Sequence, residues 1–171
     1  MTMIRVAFAA LALLAVGAMV APVDTFAASN NNSSSSSPGK DPNIKKGKAA
    51  IESADWSEAI RYLTKAVKND SDDADAHNLL AYAYRRSGQL DPAFEHYGHA
   101  LAINPRHKGA NEYIGEAYLM SGDLAKAEEH LAALKDICGS GCRETQKLKK
   151  SIARYKESND KQAFLDDDQN W

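Results

Sequence analysis

Small and large apolar residues recur along this chain at a constant spacing of 34. Alanines occur at positions 59, 93 and 127, and the small residues Gly47, Ala81 and Gly115 keep the same interval. Such self-similarity without insertions indicates a tandem array of one structural unit. Four further columns share the register: Trp56, Leu90 and Leu124; Leu63, Tyr97 and Leu131; Ala66, Ala100 and Leu134; Ala50, Tyr84 and Tyr118.

The columns predict a pair of packed helices in each unit. Small residues allow two helices to approach closely, and the large residues fill the space that remains. Gly88 and Gly122 are placed to end the first helices in the left-handed conformation. Asp91 and Pro92 predict the start of the second helix of the middle unit, and Pro105 after Asn104 predicts its end.

This pattern resembles the tetratricopeptide-repeat family, whose 34-residue unit carries small residues at its eighth, twentieth and twenty-seventh places. The resemblance implies an all-α, right-handed α-solenoid of three helix-turn-helix units at residues 40–73, 74–107 and 108–141. The terminal units depart from the family pattern at Ala50, Ser71, Leu134 and the segment 138–141. End units often do so, because they face solvent or a cap.

The two ends of the chain predict other elements. Residues 1–28, with an apolar run from Val6 to Val20, are typical of a cleaved signal peptide, and a retained membrane anchor is the alternative. The Ser/Asn-rich stretch 29–39 predicts a flexible linker. Residues 142–159 predict a capping helix carrying Leu148, Ile152 and Tyr155, and residues 160–171 predict an acidic disordered tail. We expect a periplasmic or secreted protein.

Composition and motifs exclude several function classes. A formal net charge of -2 gives no large basic field, so nucleic acid and anionic lipid are not expected as main partners. The sequence contains no signature of a catalytic triad and no phosphate-binding glycine loop after a strand. We therefore expect no enzymatic activity and no cofactor.

Cysteine and histidine chemistry leaves one prediction and its alternatives. Cys138 and Cys142 bracket a flexible Gly-Ser-Gly segment, which in an exported protein predicts a local disulfide. A redox or metal role for the pair is the alternative. His96 and His99 could share a helix face, but His96 and His130 occupy the column of Tyr62 on the expected solvent side. No carboxylate or thiolate completes a metal set, so no metal site is predicted.

The family resemblance implies that fixed places of each unit line an inner groove. In this chain they give a mixed set of charged, aromatic and apolar residues, each of which is alternatively a solvated helix face. Arg85 and Arg86 beside Tyr82 suit a carboxylate or backbone carbonyls, and Leu119 with Met120 suits an apolar contact. The predicted binding residues are Lys48, Asn78, Tyr82, Arg85, Arg86, Glu112, Glu116, Leu119 and Met120.

The family's carboxylate clamp is not matched, because only Lys48 of its basic and Asn places has a suitable type. The sequence therefore predicts an exported scaffold that binds a protein or peptide partner in its groove, in an envelope assembly or adaptor role. The alternatives are a redox-linked or metal-handling accessory that uses Cys138 and Cys142, and a homo-oligomeric structural element. Whether the acidic tail docks in the groove stays open.

Overall fold

A computed structural model describes residues 41–158, and the predicted signal peptide, linker and acidic tail lie outside them. The described residues form seven α-helices and no strand. None of these helices has the length and apolar character needed to cross a bilayer. The helices are α1 (Pro42–Glu52), α2 (Trp56–Asn69), α3 (Ala74–Arg86), α4 (Leu90–Ile103), α5 (Lys108–Ser121), α6 (Leu124–Cys138) and α7 (Arg143–Ser158).

Helices pair in chain order, so that α1 packs on α2, α3 on α4 and α5 on α6. The predicted alanine column lies at these contacts, since Ala59, Ala93 and Ala127 are all fully buried. Each pair also packs against the next, and α7 lies against α5 and α6 as α5 lies against α3 and α4. The cap helix thus takes the place where the first helix of another unit would lie.

The local sequence accounts for the start of α1 but not for that of α4. Asp41 caps α1 by accepting a hydrogen bond from the backbone N–H of Asn43 at 2.6 Å, as expected for Asp before Pro. The predicted start of α4 at Asp91 is wrong. That helix begins at Leu90 after Gln89, which makes no side-chain capping bond, so Pro92 falls within the first turn.

The turns between paired helices need a left-handed residue. Gly88 and Gly122 have φ of 81° and 91°, which confirms the predicted role of these two glycines. In the first pair the same place is taken by Ala54, whose φ is 54°. A Cβ at this conformation is strained, so the first turn is less favourable than the other two.

Close approach at the glycines differs between units. At Gly47 an added Cβ would lie 2.5 Å from Leu63 of α2, so this glycine permits contact within its own pair, as predicted. At Gly115 the added Cβ would lie 2.6 Å from Leu148 of α7. The prediction that Gly115 serves the contact with α6 is therefore corrected, because the crowding comes from the cap helix.

Candidate functional site

A cavity of about 220 Å³ opens where α3, α5 and α7 face one another. These are the first helices of the second and third pairs and the cap helix, so the cavity lies on the inner layer of the stack. Its lining combines five cationic side chains, two carboxylates and two tyrosines. The lining residues are Tyr82, Arg85, Arg86, Glu112, Tyr113, Glu116, Lys147, Lys150, Ser151 and Arg154.

The Arg85 side chain is 3% exposed, which places its guanidinium in the wall of the cavity. It forms an ion pair of 2.9 Å with Glu116 and lies 5.4 Å and 5.9 Å from the ring centroids of Tyr82 and Tyr113. A buried guanidinium needs such partners, because desolvation without them is unfavourable. Arg85 therefore orders the carboxylate and both rings around it.

Two tyrosines form one side of the cavity, and a tryptophan outside its lining packs against one of them. The ring centroids of Tyr82 and Tyr113 are 4.9 Å apart, and Trp56 meets Tyr82 edge-on at 6.2 Å. Arg86 lies over Trp56 at 5.0 Å and donates a hydrogen bond of 3.4 Å to the Tyr82 hydroxyl. Burial raises the pKa of Tyr113 to about 12, so this hydroxyl stays protonated and can donate a hydrogen bond.

Glu112 is the most unusual ionisable group of the cavity. It is 2% exposed, and one of its carboxyl oxygens lies 3.3 Å from the Lys147 ammonium. Burial, with the negative charge of Glu116 adding to it, raises the pKa of Glu112 to about 7 despite the lysine. Near neutral pH this carboxyl is therefore only partly ionised, and the cavity is more positive than a count of acids and bases suggests.

Two family models described as tetratricopeptide repeat match the chain, one over residues 44–104 and the other over 85–137. Together they span more than half of its length. The chain belongs to the tetratricopeptide-repeat family.

Solved tetratricopeptide-repeat structures share the fold. The Sgt2 TPR domain from Aspergillus fumigatus superposes with a TM-score of 0.63 at 24% identity, covering 72% of this chain and 82% of that one. The first TPR of Spaghetti (RPAP3), bound to the HSP90 peptide SRMEEVD, gives 0.59 at 22% identity over 66% and 88%. The Yersinia enterocolitica type III secretion chaperone SycD, in complex with a peptide of the translocator YopD, gives 0.59 at 18% over 68% and 88%.

Five of the nine binding residues predicted from the tetratricopeptide pattern meet at the cavity, and four do not. Those that line it are Tyr82, Arg85, Arg86, Glu112 and Glu116. Lys48 is exposed on α1 and contributes nothing to the cavity. Asn78 is buried beside Gly109, where α3 meets the start of α5.

Leu119 and Met120 do not form the apolar patch expected of this tetratricopeptide groove. Leu119 is fully buried in a cluster with Leu148, and Met120 is only 6% exposed, with its sulfur 3.5 Å from an Arg85 nitrogen. The reason is α7, whose apolar face covers this part of the third pair.

Half of the cavity lining was missed from the sequence. Tyr113 follows Glu112 on α5, and the other four residues lie on the cap helix at positions 147, 150, 151 and 154. Their spacing of three, one and three residues places them on one face of a helix. This spacing is the signal in the sequence that indicates a shared polar face on the cap helix.

Cys138 and Cys142 are joined by a disulfide between the end of α6 and the start of α7, as predicted. The Thr145 hydroxyl lies 3.0 Å from the Cys142 sulfur and donates a hydrogen bond to the Gly139 carbonyl. This bonded turn joins the third helix pair to the cap helix, which supplies four of the ten residues that line the cavity.

Proposed function

We propose that this protein is a binding scaffold whose α3–α5–α7 cavity holds an acidic or carboxylate-bearing segment of a partner protein. The observation that carries the proposal is the excess of five cationic side chains over two carboxylates around one cavity of an otherwise slightly acidic chain. Guanidinium and ammonium groups form charge-assisted hydrogen bonds with carboxylates. Structural relatives in complex with peptides, among them one holding SRMEEVD, are consistent with this use of the fold.

Different residues supply different parts of the interaction. Arg85 is held by Glu116 and acts mainly through the order it imposes on the rings of Tyr82 and Tyr113. Lys147 is half exposed and stands at the rim, where it can meet a carboxylate without a large desolvation cost. The two tyrosine rings offer a flat apolar surface with polar edges, which suits a side chain next to the acidic group.

Peptide binding tests the charge preference. A fluorescent acidic peptide should bind the protein with an affinity that falls as salt rises, since part of the attraction is screened. The double variant Lys147→Glu/Lys150→Glu should lose this binding. The control is Lys149→Glu, which makes the same change at an exposed residue of the same helix outside the cavity. Equal binding by both variants would refute the cavity as the site.

Photo-crosslinking tests whether a partner protein uses the same cavity. A benzoyl-phenylalanine at position 82 should yield adducts in an envelope fraction, and the partner segment identified by mass spectrometry should be acidic. The adducts should disappear in the charge-reversed double variant and persist with Lys149→Glu. A crosslinked segment without acidic residues would contradict the proposed chemistry.

The proposed setting is the periplasm or the exterior of a cell, in an envelope assembly or adaptor role. The support for this part is the apolar run Val6–Val20 followed by the small residues Ala27 and Ala28. Fractionation and N-terminal sequencing of the mature protein test it, with processing expected near Ala27 or Ala28. Full-length protein in the cytoplasm would refute the setting but leave the binding cavity untouched.

A further inference from the structure

Three histidines of the second helix pair lie together, away from the cavity. His77 of α3 and His96 of α4 approach to 3.1 Å between their Nδ1 atoms. The ring of His99, three residues further along α4, lies 5.1 Å from that of His77 and 6.1 Å from that of His96, centroid to centroid. None of these three histidines lines the α3–α5–α7 cavity.

The first two imidazoles are fixed in orientation. His77 Nε2 donates to the Ser71 carbonyl at 3.1 Å, so its Nδ1 carries the lone pair that faces His96. Histidine ligands of metal ions commonly donate their second nitrogen to a carbonyl in this way. His96 is held by Tyr84, whose ring stacks on it at 5.7 Å with an interplanar angle of 1°.

Comparison with the other helix pairs shows that His77 and His99 are specific to the second one. The position of His77 is Asn43 in the first pair and Asn111 in the third, and Asn111 makes a plain hydrogen bond of 3.0 Å to His130. The packing therefore needs only an Asn there. The position of His99 is Lys65 in the first pair and Ala133 in the third. Both departures in the second pair introduce imidazoles, and both fall beside His96.

We propose that His77, His96 and His99 form a binding site for a divalent transition metal of the Zn²⁺, Cu²⁺ or Ni²⁺ type. The separation of 3.1 Å is close to the ~3.3 Å between two nitrogens of a tetrahedral zinc shell with bonds of about 2.0–2.1 Å. The ion lies about 2 Å from both Nδ1 atoms, to one side of the line that joins them, and the proton on His96 Nδ1 moves to its Nε2. His99 is 55% exposed and turns its ring to supply the third nitrogen.

Acidic residues act on the first two histidines. Asp72 and Asp73 act electrostatically on His77, and Glu95 acts on His96. These carboxylates place negative charge around the nitrogens without occupying the position of the ion.

Calorimetric titration of the purified full chain with Zn²⁺ tests the site. The protein should carry no histidine tag and keep its disulfide oxidised, so that thiolates do not bind the ion. We expect one equivalent to bind and to raise the melting temperature. His77→Asn should weaken binding by about tenfold or more and abolish the thermal shift, while the metal-free fold persists, since Asn stands at this place in the other pairs. His99→Ala should also weaken binding.

The matched control is His130→Gln, which removes a histidine of the equivalent α6 position that has no histidine partner among the described residues. It should bind Zn²⁺ as the unaltered protein does. Zinc binding that His77→Asn leaves unchanged, or no binding by the unaltered protein, would overturn the site. Unchanged affinity in His99→Ala would overturn the third ligand.

Discussion

Replacing Glu112 by Gln should make the stability of the protein less sensitive to pH. Below pH 4.5 the carboxyl is protonated in both the folded and the unfolded chain, so its ionisation has no effect. Between pH 4.5 and about 7 it ionises only in the unfolded chain, because burial raises its pKa to about 7 in the fold. The free energy of unfolding therefore falls with rising pH across this window and levels off above it.

The magnitude follows from the two pKa values. A tenfold change in an acid dissociation constant corresponds to about 1.4 kcal/mol, so the interval from 4.5 to about 7 corresponds to about 3 kcal/mol. Glutamine has nearly the shape of the protonated acid and does not titrate. The stability of Glu112→Gln relative to the unaltered protein should therefore rise by about 3 kcal/mol between pH 4.5 and pH 8.

Urea unfolding followed by circular dichroism at pH 4.5, 6 and 8 measures this difference directly. The control is Glu52→Gln, which makes the same change at an exposed residue of α1. Parallel pH profiles for Glu112→Gln and the unaltered protein would show that the carboxyl is ionised without penalty in the fold. The description of the cavity electrostatics would then be wrong.

Three further predictions concern the frame around the cavity. Ala54→Gly should stabilise the protein by about 0.5–1 kcal/mol in urea unfolding, and Gly88→Ala should destabilise it by about 1 kcal/mol. The reason is that both residues have positive φ, which glycine adopts without strain. A change in stability of the same sign in both variants would contradict this reasoning. Gly115→Ala should lower the free energy of unfolding by about 1–3 kcal/mol, since its Cβ would come within 2.6 Å of the buried Leu148 of α7. An unchanged urea midpoint would show that α7 can shift to make room for the methyl group without loss of stability. Thiol titration of the native protein should find neither Cys138 nor Cys142 reactive, and a readily reduced, fast-exchanging pair would support the redox alternative instead.

The arrangement of helix pairs was predictable because its signal is repeated. Each contact between paired helices uses one small and one large residue, and the same choice appears at an interval of 34, as at Ala59, Ala93 and Ala127. The left-handed turns were predictable at Gly88 and Gly122, because glycine adopts a positive φ without strain. At Ala54 the same left-handed turn forms without glycine.

Only part of the cavity lining was predictable, because the lining residues on the cap helix depend on how α7 is rotated about its axis. Family places assign the inner face within a unit, and two of the residues that they select, Arg85 and Glu112, line the cavity. They assigned Leu119 to the same face, although it is fully buried. That outcome follows from the contact of Leu148 with the α5 surface around Gly115.

The cap helix has two faces whose effects cannot be separated by deleting it. Leu148 and Ile152 cover the end of the stack, and the adjacent face carries Lys147, Lys150 and Arg154 into the cavity. Removing α7 would expose the apolar cluster and remove the cationic wall together. A loss of peptide binding could then come from unfolding of the third helix pair or from the missing charges, and the experiment would not distinguish the two. Charge reversal at the cavity face leaves the buried leucine and isoleucine in place. Any loss of peptide binding can then be assigned to the charges, provided that the urea midpoint is unchanged.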